Sequence, residues 1–247
     1  MVHITNGDCV AEELRRWAGE PRLIVWHDVL HEGPVVAGLG LEEVTAVRSA
    51  WLEAEGYGGG AKLEERDRQL RRLVARDSLW FWFEDDLYDQ LQLLQALHFV
   101  WTDGLTASPH FLVDIPRGLR VEEMAALAAG KTRLTPGMME LGARAWEMFT
   151  LGRAGELLDW DLTGLPHLRA AVERLLEHGP GDDNRVRRTI VALLRDGGKT
   201  AGQLFGAYQK TEERPVLGDT TFFWYLERMG PRVYRDAAGI WRLLPDS

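Results

Sequence analysis

"LWFWFEDDLYDQLQLLQAL", residues 79–97, is the stretch that decides the fold. Its five leading residues are large and apolar, which is typical of a buried strand. They run directly into four acids within six residues, namely Glu84, Asp85, Asp86 and Asp89. Leucines at 87, 91, 94 and 97 then recur at helical spacing. The stretch therefore predicts a strand followed by a helix, with a cluster of acids at the point where the strand ends.

Apolar runs alternate with helical patterns along the first half of the chain. Strands are predicted at 2–5, 22–28, 78–83 and 110–115, and helices at 9–19, 41–55, 62–76 and 87–97. Alternating elements with near-continuous apolar strands are typical of a parallel sheet covered on both faces. We therefore expect an α/β domain over residues 1–118, with a mostly parallel Rossmann-like or flavodoxin-like sheet.

The second half of the chain is predicted to be mainly helical. Residues 119–183 carry helical patterns and form a helical middle region. The stretch "GPGDDN", 179–184, combines turn residues with polarity, so we expect a domain boundary there. Residues 184–247 contain three helical patterns and then two short strands around a turn, which is the element order of a winged helix.

Charge is distributed unevenly between these parts. The chain carries a net charge of −9, yet residues 184–247 hold 11 Lys and Arg against 7 Asp and Glu, so the acidity lies before residue 184. An acidic surface repels nucleic acid, so the expected partner of the first part is a small-molecule or nucleotide ligand. DNA is a less favoured partner, through the winged helix alone. The sequence carries no signal for an oligomeric state.

Cysteine content and hydropathy bear on the compartment. The single cysteine, Cys9, excludes an internal disulfide and a cysteine-rich zinc site. Apolar runs stay well below the roughly 20 residues of a membrane helix, and the first residues lack the basic and apolar regions of a signal peptide. We expect a cytoplasmic protein with no membrane partner.

Polar side chains follow each of the first three predicted strands. They are Thr5, Asn6, Gly7 and Asp8 after the first, Asp28, His31 and Glu32 after the second, and Glu84, Asp86, Asp89 and Gln90 after the third. Ligands of parallel α/β sheets bind outside the carboxyl ends of the strands. If the three strands are neighbours, these side chains form one site.

The acids have two interpretations. Asp8 and Asp86 occupy positions that suit helix caps, and Asp28 could close a turn. A cap needs one acid, however, whereas three occur in succession after the third strand. Clustered carboxylates need a compensating partner, either a divalent metal such as Mg²⁺ or Mn²⁺ or the hydroxyl groups of a sugar or ribose. The expected metal ligands are Asp8, Asp28, Glu84 and Asp86.

The remaining polar residues suggest roles in catalysis and binding. His31 or Glu32 would act as the catalytic base, since an imidazole titrates near neutral pH. Substrate would be bound by Thr5, Asn6, Gly7, Asp89 and Gln90. The set predicts a metal-assisted hydrolase of a phosphoester or glycosidic bond. The alternatives are a ligand-sensing transcriptional regulator and a protein-interaction module, each of which would use the winged helix.

Three motifs together resemble one bacterial family. "HITNGD" at 3–8, "DVLHEGPV" at 28–35 and "WFEDDLYDQLQLL" at 82–94 are similar to the family catalogued as domain of unknown function 1835. The stretch "EERPVLGDTTFFWYLERM", 212–229, also resembles the C-terminal, sigma-factor-like part of such proteins. The resemblance implies a shared site at the strand ends and carries no established activity. This chain departs from the family at Asp85, where members tend to have histidine.

The third helical pattern of the C-terminal part, 218–230, is unusually apolar. Phe222, Leu226 and Met229 follow i, i+4, i+7 spacing and are expected in the core, and Trp224 flanks that stripe. A helix that reads DNA presents polar and basic side chains to the bases. We therefore expect this helix to pack against the acidic first part of the chain or against a protein partner, and the C-terminal domain not to read a DNA sequence.

Overall fold

The computed structural model describes residues 1–178, 184–213 and 217–244. A five-stranded sheet has the order β2-β1-β3-β4-β5. Its strands are β1 Val2–Asn6, β2 Leu23–Trp26, β3 Leu79–Phe83, β4 His110–Asp114 and β5 Thr132–Leu134. The first four strands are parallel, and β5 is antiparallel to β4. The prediction of an α/β fold with a mostly parallel sheet is confirmed, whereas β5 was not predicted.

Helices connect the strands and continue beyond the sheet. They are α1 Gly7–Ala18, α2 Leu41–Ala54, α3 Gly60–Leu70, α4 Leu87–Thr102, α5 Met124–Ala129, α6 Pro136–Thr150 and α7 Leu168–Leu176. Two stretches of 3₁₀ helix, Val121–Glu123 and Ala154–Asp159, lie between them. Every helix in the described part of the chain is too short or too polar to cross a membrane.

Helices α1 and α4 cover opposite faces of the sheet. Leu14 of α1 packs in one buried cluster with Trp82 of β3. The other face carries Trp26, whose indole N–H donates to Oε1 of Gln95 on α4 at 2.7 Å. The chain passes from β1 through α1 to β2 on one side and from β3 through α4 to β4 on the other, so the strand order reverses between β1 and β3. Open α/β sheets form their ligand crevice at the carboxyl ends of such a strand pair, and this region is called the crevice below.

A buried ion pair holds the segment between β2 and α2. Arg48 is 0% exposed and Asp28 is 1% exposed. The guanidinium Nη2 lies 2.7 Å from Oδ1 of Asp28, and Nε lies 3.0 Å from the same oxygen. Arg48 also donates to the carbonyl oxygens of Glu32 and Val29, at 2.6 and 3.2 Å. One side chain thus neutralises a buried carboxylate and shapes the loop that follows β2.

The chain divides into two compact units, Met1–Glu173 and Arg174–Ser247. Most of the helical middle region, 119–183, lies in the first unit. The expected boundary at 179–184 falls outside the described residues except for Asn184.

After the end of α7, the described residues of the second unit form three helices followed by two strands. These are α8 Arg185–Leu194, α9 Ala201–Gln209, α10 Asp219–Glu227, and the antiparallel pair β6 Val233–Arg235 and β7 Trp241–Leu243. Phe222, Leu226 and Met229 are buried, so the predicted apolar stripe of α10 is confirmed. Tyr208 of α9 is also buried, with its ring centre 5.0 Å from that of Phe222.

Replacing Arg48 by methionine tests the buried ion pair. The Arg48→Met variant leaves Asp28 buried without its counter-ion, so the free energy of unfolding should fall by about 3–5 kcal/mol. The exposed Arg16, which pairs with Glu13 on α1, supplies the control: Arg16→Met should cost at most about 1 kcal/mol. Chemical denaturation measures both. An Arg48→Met loss as small as that of the control would contradict a structural role for the pair.

Candidate functional site

Asp89 of α4 joins the carboxyl ends of β1 and β3. Its Oδ1 accepts a hydrogen bond from the side-chain amide of Asn6, the last residue of β1. Its Oδ2 accepts from the backbone N–H of Glu84, immediately after β3, at 2.6 Å. Asp89 is buried, so both of its oxygens are held by donors inside the protein. This side chain therefore fixes the geometry of the crevice between the two strands.

Local backbone geometry brings these residues into position. Gly7 has a φ of 61° and lets the chain turn directly from β1 into α1. Asp86 is the N-cap of α4, where its Oδ1 accepts from the backbone N–H of Asp89 at 2.8 Å. Gln90, the residue after Asp89, donates from its side-chain amide to the carbonyl oxygen of Glu84 at 2.8 Å. The capping interpretation of Asp86 is correct, and the cap also places Asp86 beside Asp89.

Burial changes the acidity of this cluster. It raises the pKa of Asp86 to about 7, an effect that the neighbouring Glu84 and Asp85 carboxylates increase. Burial and the charge of Asp86 also raise the pKa of Asp89 well above the ordinary value. Two interacting carboxyl groups titrate as a pair. The Asp86–Asp89 pair therefore holds a proton at pH values where exposed carboxyl groups are ionised.

Glu84 and Arg117 complete the charged lining of the crevice. Burial raises the pKa of Glu84, and the Arg117 guanidinium offsets part of that rise. The same guanidinium lowers the pKa of Asp86. Next to them, Asp114 at the end of β4 lies with Oδ1 3.4 Å from Nε2 of His167. Sequence reasoning missed Arg117, Asp114 and His167, although an acid after the strand "HFLV" repeats the pattern that revealed the other acids.

Two of the four acids expected to bind one metal, Asp28 and Asp8, instead contact other side chains of the protein. The carboxylate of Asp28 is occupied by Arg48 and by the backbone N–H of Val29 at 2.8 Å. Asp8 accepts from Nζ of Lys62 at 2.8 Å and contacts Nε2 of His27 at 2.9 Å. These partners lower the pKa of Asp8 to about 2. Asp8 and Asp28 thus have protein counter-ions of their own, whereas Glu84 and Asp86 remain in the crevice.

Thr5, expected to bind substrate, and His31, expected to act as a catalytic base, both have buried side chains. Thr5 is buried, and its hydroxyl donates to the carbonyl oxygen of Trp82 at 3.0 Å. The buried side chain of His31 lies 4.0 Å from a Glu32 carboxylate oxygen, and its ring centre is 5.9 Å from that of Tyr88 on α4. His31 therefore packs against the first turn of α4, on the side of the loop that Arg48 holds.

Chemically, the crevice combines an acid that keeps its proton with acceptors and amides. Within the described residues, no group of three or more His, Cys, Asp or Glu side chains is arranged to hold a metal ion. Oδ1 of Asn6 is buried, and no hydrogen-bond partner for it occurs among the residues that the structure describes. These features suit a ligand that both donates and accepts hydrogen bonds, such as a hydroxyl-bearing molecule.

Fold and crevice define an α/β protein with a polar crevice at the strand ends. Comparison of the chain with protein-family models, curated proteins and solved structures gave no match.

Stability as a function of pH tests the protonated pair. Because the pKa of Asp86 rises from 3.8 to about 7 on folding, the folded state binds more protons than the unfolded state between those values. Stability should therefore fall as pH rises through that window. Asp86→Asn keeps a capping oxygen but removes the charge, so at about pH 8 it should stabilise the fold by more than about 1.4 kcal/mol, the equivalent of one pKa unit.

The control for this variant is Asp103→Asn, the same change at the exposed C-terminal end of α4. Its effect on the unfolding free energy should be small and alike at about pH 8 and pH 5, whereas the gain of Asp86→Asn should shrink at about pH 5. Equal pH dependence of the wild type and Asp86→Asn would show that Asp86 is ionised throughout the window.

Proposed function

We propose that the crevice between β1 and β3 binds a hydroxyl-bearing small molecule, such as a sugar or the ribose of a nucleoside or nucleotide. The observation that carries the proposal is the half-buried Asp86 beside the buried Asp89, both with raised pKa values, at the strand ends where α/β sheets bind ligands. Clustering of three half-buried or buried acids costs stability. Such a cost is common where function requires the arrangement.

Hydrogen-bonding capacity supports a hydroxyl ligand over a simple anion. A protonated carboxyl group donates one hydrogen bond and accepts others, which matches a hydroxyl group. Oδ1 of Asn6 is a buried acceptor that a ligand O–H would satisfy. Glu84 is an acceptor at the same strand end, and Arg117 would attract an anionic substituent such as a phosphate.

For turnover, we propose hydrolysis of a glycosidic or phosphoester bond with Asp86 as the general acid. A carboxyl group whose pKa is near neutrality can protonate a leaving oxygen. If Mg²⁺ or Mn²⁺ assists, Glu84 and Asp86 are the expected metal ligands that remain in the crevice. The metal would then compete with the proton on Asp86, so its binding would strengthen as pH rises.

Further proposals concern the family and the second unit. We propose membership of the family catalogued as domain of unknown function 1835, from the three motifs at the strand ends. We propose that 184–244 is a winged helix, since three helices precede a two-stranded hairpin in the order expected of one. Phe222, Tyr225 and Leu226 of α10 are buried, and the exposed Glu227 would repel phosphate, which disfavours base reading by this helix. The single cysteine and the motifs support a cytoplasmic location.

A thermal-shift panel tests the binding proposal. Wild-type protein is heated with free sugars, nucleosides, nucleotides, and Mg²⁺ or Mn²⁺ alone. At least one hydroxyl-bearing compound should raise the melting temperature because it binds only the folded state. Asp86→Asn should weaken binding of that compound by about tenfold or more, the loss expected for a hydrogen bond to an ionisable group, and Asp103→Asn should not.

Outcomes of the panel separate the alternatives. Stabilisation by Mg²⁺ or Mn²⁺ alone, lost in Asp86→Asn, would favour the metal-dependent hydrolase. A hydroxyl compound that stabilises without being consumed would favour a ligand sensor. Failure of every compound and both metals to stabilise the wild type, or equal binding by Asp86→Asn, would refute the site.

A further inference from the structure

A second concave site lies away from the strand ends, between α2 and α3. It is a groove of about 550 Å³, a volume within the range of small-molecule sites. Asp67 of α3 and Thr45 of α2 are buried and form its inner part. Arg68, Arg71 and Arg72 line its exposed end. The groove therefore has a buried polar floor and a charged mouth, which the exposed Glu42 and Glu64 also line.

The floor contains a carboxylate that is only half satisfied. Oδ1 of Asp67 accepts from Nε of Arg66 at 2.9 Å, and Nη2 of Arg66 donates to the hydroxyl of Thr45 at 2.7 Å. Asp67 is only 5% exposed, and its Oδ2 is buried. This second oxygen nevertheless lacks a hydrogen-bond partner within the described residues. Buried polar atoms without partners are rare, and each one weakens the fold. The groove thus needs a hydrogen-bond donor at its inner end.

The charged side chains that line the groove indicate which class of ligand supplies this hydrogen-bond donor. Glu42 and Glu64 also line the groove, so with Asp67 its lining holds three acids and three arginines. The buried Arg66, outside the lining, forms a salt bridge with Asp67 at 2.8 Å. Arg71 is paired with Glu42 at 3.1 Å. Arg72 lies near enough to Glu65 to contribute to lowering its pKa, without a salt bridge between them within the described ranges. A doubly charged phosphate would be repelled by Glu42 and Glu64. A molecule with one positive and one negative group matches a balanced lining better.

We infer that the α2–α3 groove binds a small zwitterion, an amine-bearing carboxylic acid, with its ammonium group at Asp67 and its carboxylate at Arg72. The ammonium group donates to Oδ2 of Asp67, the carboxylate oxygen that the salt bridge from Arg66 to Oδ1 leaves without a partner among the described residues. The carboxylate accepts from the guanidinium of Arg72 at the mouth, where a fork of N–H donors suits two carboxylate oxygens. The molecule is an amino acid or an ω-amino acid whose length spans the groove.

Calorimetric titration of the full-length protein tests the inference. The probes are α-amino acids and ω-amino acids of increasing chain length, each compared with the amine that lacks the carboxylate and the acid that lacks the amine. One zwitterion should bind, and its two truncated analogues should bind about tenfold more weakly or worse. If the carboxylic acid without the amine bound as tightly as the zwitterion, the ammonium group would not be needed for binding. That result would overturn the assignment of Asp67.

Two variants locate the binding. Asp67→Asn keeps one oxygen for Arg66 and turns the unpartnered acceptor into an N–H donor, so zwitterion binding should be lost. Arg72→Gln should weaken binding of the zwitterion about tenfold and leave the truncated amine unaffected, and its exposed position avoids an effect on folding. Arg76→Gln, an exposed arginine that does not line the groove, is the matched control.

The result also separates this groove from the crevice at the strand ends. Asp86→Asn should bind the zwitterion like the wild type. No binding by any zwitterion, or unchanged binding by both Asp67→Asn and Arg72→Gln, would overturn the inference and leave an internal water as the partner of Asp67.

Discussion

The hydrogen bonds to Asp89 are the constraint on which the crevice depends. One carboxylate receives an amide from the end of β1 and a backbone N–H from the end of β3, and its own N–H is capped by Asp86. Two strands and one helix are thereby joined at a single side chain. The same arrangement brings two carboxyl groups together inside the protein. Burial and mutual repulsion then raise the pKa of both groups, which is the chemical property that distinguishes this edge.

Other acids near the strand ends are compensated in a different way. Asp28 has the buried Arg48, and Asp8 has Lys62 and His27. These pairs lower the cost of a carboxylate without help from a ligand, and the one at Asp28 also shapes the loop after β2. The position of β1 between β2 and β3 keeps the end of β2 apart from that of β3. The acids near the strand ends are thus compensated in three ways: Asp28 by Arg48, Asp8 by Lys62 and His27, and the Asp86–Asp89 pair by keeping a proton. Of these three arrangements, the last leaves protonatable groups in the crevice.

Much of the sheet was predictable because its strands are apolar and its helices are periodic. The predicted strand at 78–83 and helix at 87–97 correspond to β3 and to most of α4. Strand β5 was missed because three residues, two of them exposed, carry no periodic signal. Asn6, Asp86 and Asp89 were found from their position after strands. The partner of Asp28 could not be found, because Arg48 lies 20 residues away on a helix and nothing local marks it as buried.

Carboxyl-carbon NMR of the wild type, followed across a pH titration, tests the central claim most directly. The claim is that the Asp86–Asp89 pair keeps a proton near neutral pH because the fold withdraws both carboxyl groups from water. The account predicts that their two resonances shift together and that one step has a midpoint near or above pH 7. Independent titration of both groups near the ordinary aspartate pKa would contradict it, because the crevice would then hold ordinary ionised carboxylates.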